Sequence, residues 1–147
     1  MFAELYDGKP WLGVTFKNAL KGLDAQSAAK HSLEGRHSCW EILHHIIFWR
    51  LNVMRKLPIN EQIRQNPVKD FQPPISIDDA SWQGTLKIFR EVHEELLALL
   101  QKLDAKHLNM VVEKTGQPYF WYLHGLLQHD AYHLGQLAML RKAVLHE

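Results

Sequence analysis

Residues 39–57 carry apolar side chains around almost the whole circumference of a helix, and this segment restricts the possible folds more than any other. Ser38 followed by Glu41 is a capping box, which is typical of a helix N-terminus. Pro58 ends this helix at about Leu57. The pattern predicts a long helix. Core packing is a commoner explanation for its many apolar residues than a dimer surface. These residues are Trp40, Ile42, Leu43, Ile46, Ile47, Phe48, Trp49, Leu51, Val53 and Met54.

Three more segments repeat apolar residues at helical spacing. They run from about Pro10 to Leu23, from about Asp78 to Leu103, and from Pro118 to about Val144. The connection over residues 58–76 is rich in proline, which forbids a long helix there. No segment alternates apolar and polar residues as a strand would. The sequence therefore predicts an all-α four-helix bundle with long crossover connections, as a single domain over residues 1–147.

Composition narrows the function classes. The net charge of +1 gives no argument for nucleic acid or an anionic membrane as a partner. The single cysteine, Cys39, excludes an internal disulfide framework, and it reads as a small core residue rather than a nucleophile. The N-terminus is too polar for a signal peptide, and no apolar run approaches the roughly 20 residues that span a bilayer. We therefore expect a cytoplasmic protein.

Two of the ten histidines, His129 and His133, lie four residues apart in the apolar stripe of the last helix. At this spacing their side chains point the same way. Burying two imidazoles costs a few kcal/mol each unless both ring nitrogens find partners. A metal ion would satisfy one nitrogen of each ring and a nearby acceptor the other. The residues leave two interpretations open, a shared divalent metal and a hydrogen-bonded pair of core histidines.

A third histidine from the helix over residues 39–57 would complete a three-histidine site with one side open, as in catalytic metal sites. His44 and His45 both flank the apolar face, so periodicity does not choose between them. The surroundings of His45, beside Trp49, favour it slightly. His93 lies in the stripe of the third helix and could approach the site, although a lone inward histidine is usually a core residue.

A ferritin-like site with two metals is the rival arrangement. It needs glutamate-x-x-histidine pairs on two helices and a further glutamate from each of two others. The first predicted helix has no glutamate in its stripe, and Asp130 lies about 100° from the face of His129. The rival site is therefore short of inward carboxylates. Its candidate residues are Glu41 with His44, Asp130 with His133, and Glu91, Glu94 and Glu95.

Two sequence stretches resemble a known family. Residues 40–49 (WEILHHIIFW) resemble the second-helix signature of the DinB/YfiT-like metal-dependent enzymes, and residues 129–141 (HDAYHLGQLAMLR) resemble their last-helix signature. The resemblance implies a four-helix bundle with one zinc or nickel ion. It implies that His45, His129 and His133 are the metal ligands and that His44 is not a ligand.

The resemblance also sets the functional hypotheses. Some family members are transferases or isomerases that use a low-molecular-weight thiol cosubstrate, whose thiolate the metal is thought to stabilise. Others are described as metal-dependent hydrolases, and relatives are often homodimers. The leading hypothesis is an enzyme acting on a small-molecule substrate, with a slight preference for thiol transfer. Glu41 or Asp130 could orient a ligand histidine or move a proton, and the catalytic residues stay unassigned.

The alternative is a non-catalytic metal-binding protein of the stress response, like the DNA-damage-inducible relatives. A fourth protein ligand, for example His93, would favour this alternative.

Overall fold

The computed structural model describes residues 1–59 and 63–146. It is mostly helical, which confirms the all-α prediction. No helix in these two ranges is long and apolar enough to cross a membrane. The elements, in chain order, are α1 (Phe2–Asp7), α2 (Phe16–Leu20), α3 (Ala25–Ala29), α4 (Cys39–Met54), α5 (Asp79–Leu100), α6 (Ala105–Asn109), β1 (Val111–Val112), β2 (Gln117–Pro118) and α7 (Tyr119–Leu145).

The three long helices, α4, α5 and α7, start and end within three residues of the predicted positions. The predicted capping box is present at the start of α4. The Ser38 hydroxyl accepts a hydrogen bond from the Glu41 amide at 3.2 Å, and the Glu41 carboxylate accepts one from the Ser38 amide at 2.7 Å. At the start of α5 the Asp78 carboxylate accepts from the Ser81 amide at 2.8 Å. Capping of free amides therefore sets both N-termini.

The predicted helix from Pro10 to Leu23 is wrong. Gly13 adopts a φ of +73° and closes a turn onto the Pro10 carbonyl, so the helix starts only after Thr15 caps α2. Left-handed backbone interrupts a right-handed helix and favours glycine. In the described ranges the fourth long helix is therefore replaced by short ones. The hairpin of β1 and β2 was also not predicted, because two-residue strands are too short to show alternation.

Helix α4 packs against both α5 and α7, and α2 packs against α7. The apolar residues from 39 to 47 are buried, as their pattern predicts, and Glu41, His44 and His45 are buried with them. The short helices α1 and α2 also contact each other. The packing of α4 on α7 matters most for function, because these two helices carry the candidate histidines.

A buried ion pair joins α4 to α7. The Arg50 Nε and Nη2 atoms lie 2.9 and 2.8 Å from Asp130 Oδ2, and neither side chain is exposed. The guanidinium carbon lies 5.2 Å from the centre of the Phe16 ring and 4.8 Å from that of Phe89, at distances typical of cation–π contacts. Because both charges are out of water, each depends on the other for compensation.

His93 belongs to this core and is not part of the three-histidine group. Its ring stacks on Tyr6 at 4.1 Å, and its Nδ1 lies 3.4 Å from Arg50 Nη1. Burial, reinforced by the Arg50 charge, lowers the pKa of His93 to about 4. His93 is therefore a neutral core residue.

We expect Arg50→Met to lower the free energy of unfolding by about 3–5 kcal/mol, because it leaves the Asp130 carboxylate buried without a partner. Lys17→Met, which breaks an exposed ion pair with Asp7, should have no measurable effect. Urea unfolding followed by circular dichroism measures both variants. A loss below about 1 kcal/mol for Arg50→Met would show that the buried pair does not stabilise the fold.

The buried His93 predicts an acid-sensitive fold. Unfolded, this imidazole binds a proton near pH ~6.5, whereas in the folded chain it resists protonation until the pH nears 4. As the pH falls through this range, the free energy of unfolding of the wild type should therefore drop by up to about 3 kcal/mol relative to that of His93→Gln. Above pH ~7 the difference in free energy of unfolding between the two proteins should not change with pH. Arg50, Asp130 and Tyr6 face the His93 ring, and His93→Gln leaves all three of these residues in the chain.

Urea titrations of the two metal-free proteins at a series of pH values measure this difference. A stability difference that does not change with pH would contradict the lowered pKa of His93.

Candidate metal centre

The three histidines that the sequence singles out meet in the structure. One nitrogen from each of His45, His129 and His133 lies within 4.8 Å of the others, and the Nε2 atoms of His45 and His129 are 2.8 Å apart. The ring centres are 4.4–4.8 Å apart. His45 and His133 are buried and His129 is half-buried. Three imidazoles this close can hold a metal ion, although their role as ligands stays a prediction.

Local geometry explains the meeting. His129 and His133 are one turn apart on α7, and His45 lies on the side of α4 that packs against them. His44 points elsewhere. Its Nδ1 donates to the Gln72 carbonyl at 2.6 Å, and its Nε2 accepts from Trp40 Nε1 at 3.1 Å. Both ring nitrogens of His44 thus have hydrogen-bond partners outside the three-histidine group.

Each histidine of the group has an oxygen near its Nδ1 atom. Such acceptors fix the tautomer and leave the other nitrogen, Nε2, free to bind a metal. His133 contacts a residue one turn further along the same helix, and His129 contacts its own neighbour in sequence. The distances are 2.5 Å from His45 to Asp70 Oδ1, 2.7 Å from His133 to Gln136 Oε1, and 3.4 Å from His129 to Asp130 Oδ1.

Sequence reasoning missed two of these three partners. Asp70 lies in the proline-rich connection, where no periodicity relates it to His45. Gln136 stands in the predicted inward stripe and in the family motif, but neither showed its contact with His133. Asp130 was one of two proposed orienting residues and does lie beside His129. The other, Glu41, instead caps α4 and accepts from His31 at 2.8 Å.

The surroundings of His45 and His133 favour their neutral imidazole forms before any metal binds. Burial, reinforced by His129, lowers the pKa of His133 to about 4. Burial also lowers the pKa of His45, against the opposing effect of Asp70. Since a metal competes with protons for imidazole nitrogen, these directions favour metal binding near neutral pH.

The arrangement fits one metal better than two. In the part of the chain that the structure describes, the only group of three or more potential ligands is this one, and it contains no carboxylate. Glu91 and Glu95 pair with Arg64, and Asp130 pairs with Arg50. The ferritin-like alternative therefore lacks its inward carboxylates. An all-imidazole set suits zinc, nickel or copper.

The Phe71 ring covers one side of the group, stacking on His45 at 3.8 Å. Phe71 adopts a φ of +47°, a conformation that costs a non-glycine residue roughly 1–2 kcal/mol. A cavity of about 530 Å³ adjoins this ring and is lined in part by His45 and His133. The cavity beside the Phe71 ring therefore gives a small molecule access to His45 and His133. A larger cavity of about 780 Å³, lined by residues of α1, α2 and α5, touches none of the three histidines.

The family model described as DinB superfamily matches residues 14–137, which is most of the chain and includes all three histidines. The chain belongs to the DinB superfamily. This match confirms the resemblance to the DinB/YfiT-like family. No curated protein and no solved structure matches the chain. The roles of individual residues in this DinB-superfamily chain therefore depend on the geometry of its own site.

We expect Gln136→Leu to lower metal affinity by about 10–100-fold, because it removes the acceptor that holds His133 in the tautomer with a free Nε2. Competition with a chromophoric chelator measures the affinity. Gln128→Leu, which makes the same change at an exposed position of α7, is the matched control and should bind metal like wild type. Equal affinities for the two variants would show that Gln136 does not support the site.

Proposed function

We propose that this protein binds one divalent metal ion, zinc or nickel, through the Nε2 atoms of His45, His129 and His133. One observation carries the proposal. The three rings converge at the α4–α7 contact, and the Nδ1 atom of each faces an oxygen. Histidines that were buried only for packing would not be expected to turn all their Nε2 atoms toward one point.

We further propose that the protein is an enzyme acting on a small molecule. A bound ion of this kind would lower the pKa of a coordinated water or thiol and so make a nucleophile at neutral pH. The cavity of about 530 Å³ beside His45 and His133 has the size of small-molecule sites. Thiol transfer with a low-molecular-weight thiol is the preferred reaction by analogy with the family, and hydrolysis is the second.

The residues around the cavity have definable roles in either reaction. Phe71 shields one face of His45 from water. Gln136 holds the Nδ1 proton of His133 and donates its own amide hydrogen to the Tyr132 hydroxyl at 3.0 Å. Asp70 and Asp130 keep the other two rings oriented.

The alternative is a non-catalytic metal-binding protein of the stress response. It predicts a fourth protein ligand that closes the site. His93, the residue that would have favoured it, lies against Tyr6 and Arg50 instead. Among the described residues the group offers three ligands and adjoins a cavity, which supports the enzyme.

A cytoplasmic location and a homodimer remain proposals from the sequence and the family resemblance. Trp40 and most other apolar residues of α4 are buried in the core, so core packing accounts for most of the apolar surface of this helix. Trp49 is 39% exposed and is the aromatic residue of α4 that a partner could cover.

Elemental analysis of the purified, untagged protein tests the metal site. We expect about one metal ion per chain in the wild type and almost none in His45→Ala or His133→Ala, because two imidazoles hold a divalent ion far less tightly than three. His124→Ala, at an exposed position on α7, is the control and should keep its metal. A wild-type protein without metal after incubation with zinc or nickel would overturn the proposal.

The same variants test the activity. A thiol-transfer assay with a small thiol and an alkylating electrophile, and an ester-hydrolysis assay, are run on wild type and on His45→Ala with metal in excess. The His45→Ala rate should fall sharply while His124→Ala stays active. An unchanged rate in His45→Ala would contradict the ligand assignment, and a metal-loaded wild type inactive in both assays would favour the non-catalytic alternative.

A further inference from the structure

The cavity beside the histidines has an apolar part and a polar part. The polar part comprises Arg36, His37, Tyr132 and Gln136, in addition to His45 and His133. A ligand that fills this space therefore meets both apolar surface and hydrogen-bonding groups. The apolar lining comes from Leu33, Ile42, Phe71, Met139 and Leu140.

The charge of the lining has one sign. Arg36 is the only lining residue with a permanent charge, and no aspartate or glutamate lines the cavity in the described part of the chain. No ion pair of Arg36 is found among the described residues. A guanidinium at the edge of an otherwise uncharged cavity presents two parallel N–H donors, the geometry that a carboxylate accepts.

The backbone places Arg36 at this edge. The Arg36 amide donates to the Leu33 carbonyl at 3.2 Å, which closes a four-residue turn. Gly35 occupies the third position of the turn with a φ of +65°, a conformation that glycine adopts without cost. The turn therefore holds Leu33 and Arg36 side by side on the cavity wall.

A second donor comes from α7. If the Nε2 atom of His133 binds a metal, its Nδ1 carries the proton and donates to Gln136 Oε1 at 2.7 Å. The Gln136 amide nitrogen then donates to the Tyr132 hydroxyl oxygen at 3.0 Å. None of the described residues accepts the hydroxyl hydrogen of Tyr132, which is therefore left to donate to a ligand. The two donors, Arg36 and Tyr132, line the same cavity.

We propose that this cavity selects a small organic carboxylate, whose carboxylate group binds Arg36, whose apolar body lies along the Leu33–Ile42–Met139 wall, and whose reacting end faces His45 and His133. The Tyr132 hydroxyl donates a further hydrogen bond to this ligand. This inference names the substrate class of the proposed metal site and so rests on the proposed function, but the Arg36 subsite can be tested separately.

The probes are mercaptohexanoate and mercaptohexanol, which differ only in the group at the end away from the thiol. Each is titrated into the cobalt-loaded protein, and thiolate binding is followed by the cobalt absorption bands. We expect the carboxylate to bind about fivefold more tightly than the alcohol, as one exposed ion pair allows. The preference should shrink at high salt.

Arg36→Met should abolish this preference while leaving metal content and mercaptohexanol affinity unchanged. Arg90→Met, at an exposed position of α5 away from this cavity, is the matched control and should keep the preference. Equal binding of the two thiols by wild type, or a preference that survives in Arg36→Met, would overturn the proposal.

A separate measurement distinguishes the subsite from the metal site. Hexanoate and hexanol, which lack the thiol, are compared by ligand-detected NMR on the metal-free protein. A hexanoate preference that disappears in Arg36→Met supports the carboxylate subsite even where elemental analysis finds no metal. Normal metal content without any hexanoate preference would retain the metal site and reject the subsite.

Discussion

The buried pair of Arg50 and Asp130 is the interaction on which the rest of the structure depends. It crosses the contact between α4 and α7, and neither charge tolerates the loss of the other in a dry core. The pair therefore holds the two helices in one register. The second oxygen of Asp130 lies 3.4 Å from His129. The same carboxylate thus joins the hydrophobic core to the candidate metal centre, and that register brings His45 opposite the histidines of α7.

The acceptors that orient the three histidines come from different parts of the chain. The acceptors of His129 and His133 both lie on α7, so these two contacts form within one helix. His45 depends on Asp70, which reaches it from the proline-rich connection. The next residue, Phe71, stacks on the same ring. This part of the connection therefore belongs to the site, and its irregular backbone completes a centre that two regular helices begin.

The arrangement also explains why the centre is open on one side. Two helices provide the three histidines from one direction, and the short turn ending at Arg36 leaves a cavity on the other. A third long helix at this position would have filled the space with core side chains. The gap instead gives a small molecule access to His45 and His133, with apolar surface and a single cation around it.

Local physical rules in the sequence determined the three long helices, because caps, prolines and periodicity act over a few residues. They also determined that His129 and His133 share a face. Local rules failed at Gly13, whose positive φ breaks the expected first helix, and periodicity did not choose between His44 and His45, a choice to which the family resemblance pointed. Only the tertiary structure decided the contact of Asp70 with His45 and the place of Arg36 on the cavity wall, because both depend on how loops and helices meet across the fold and leave no local pattern in the chain.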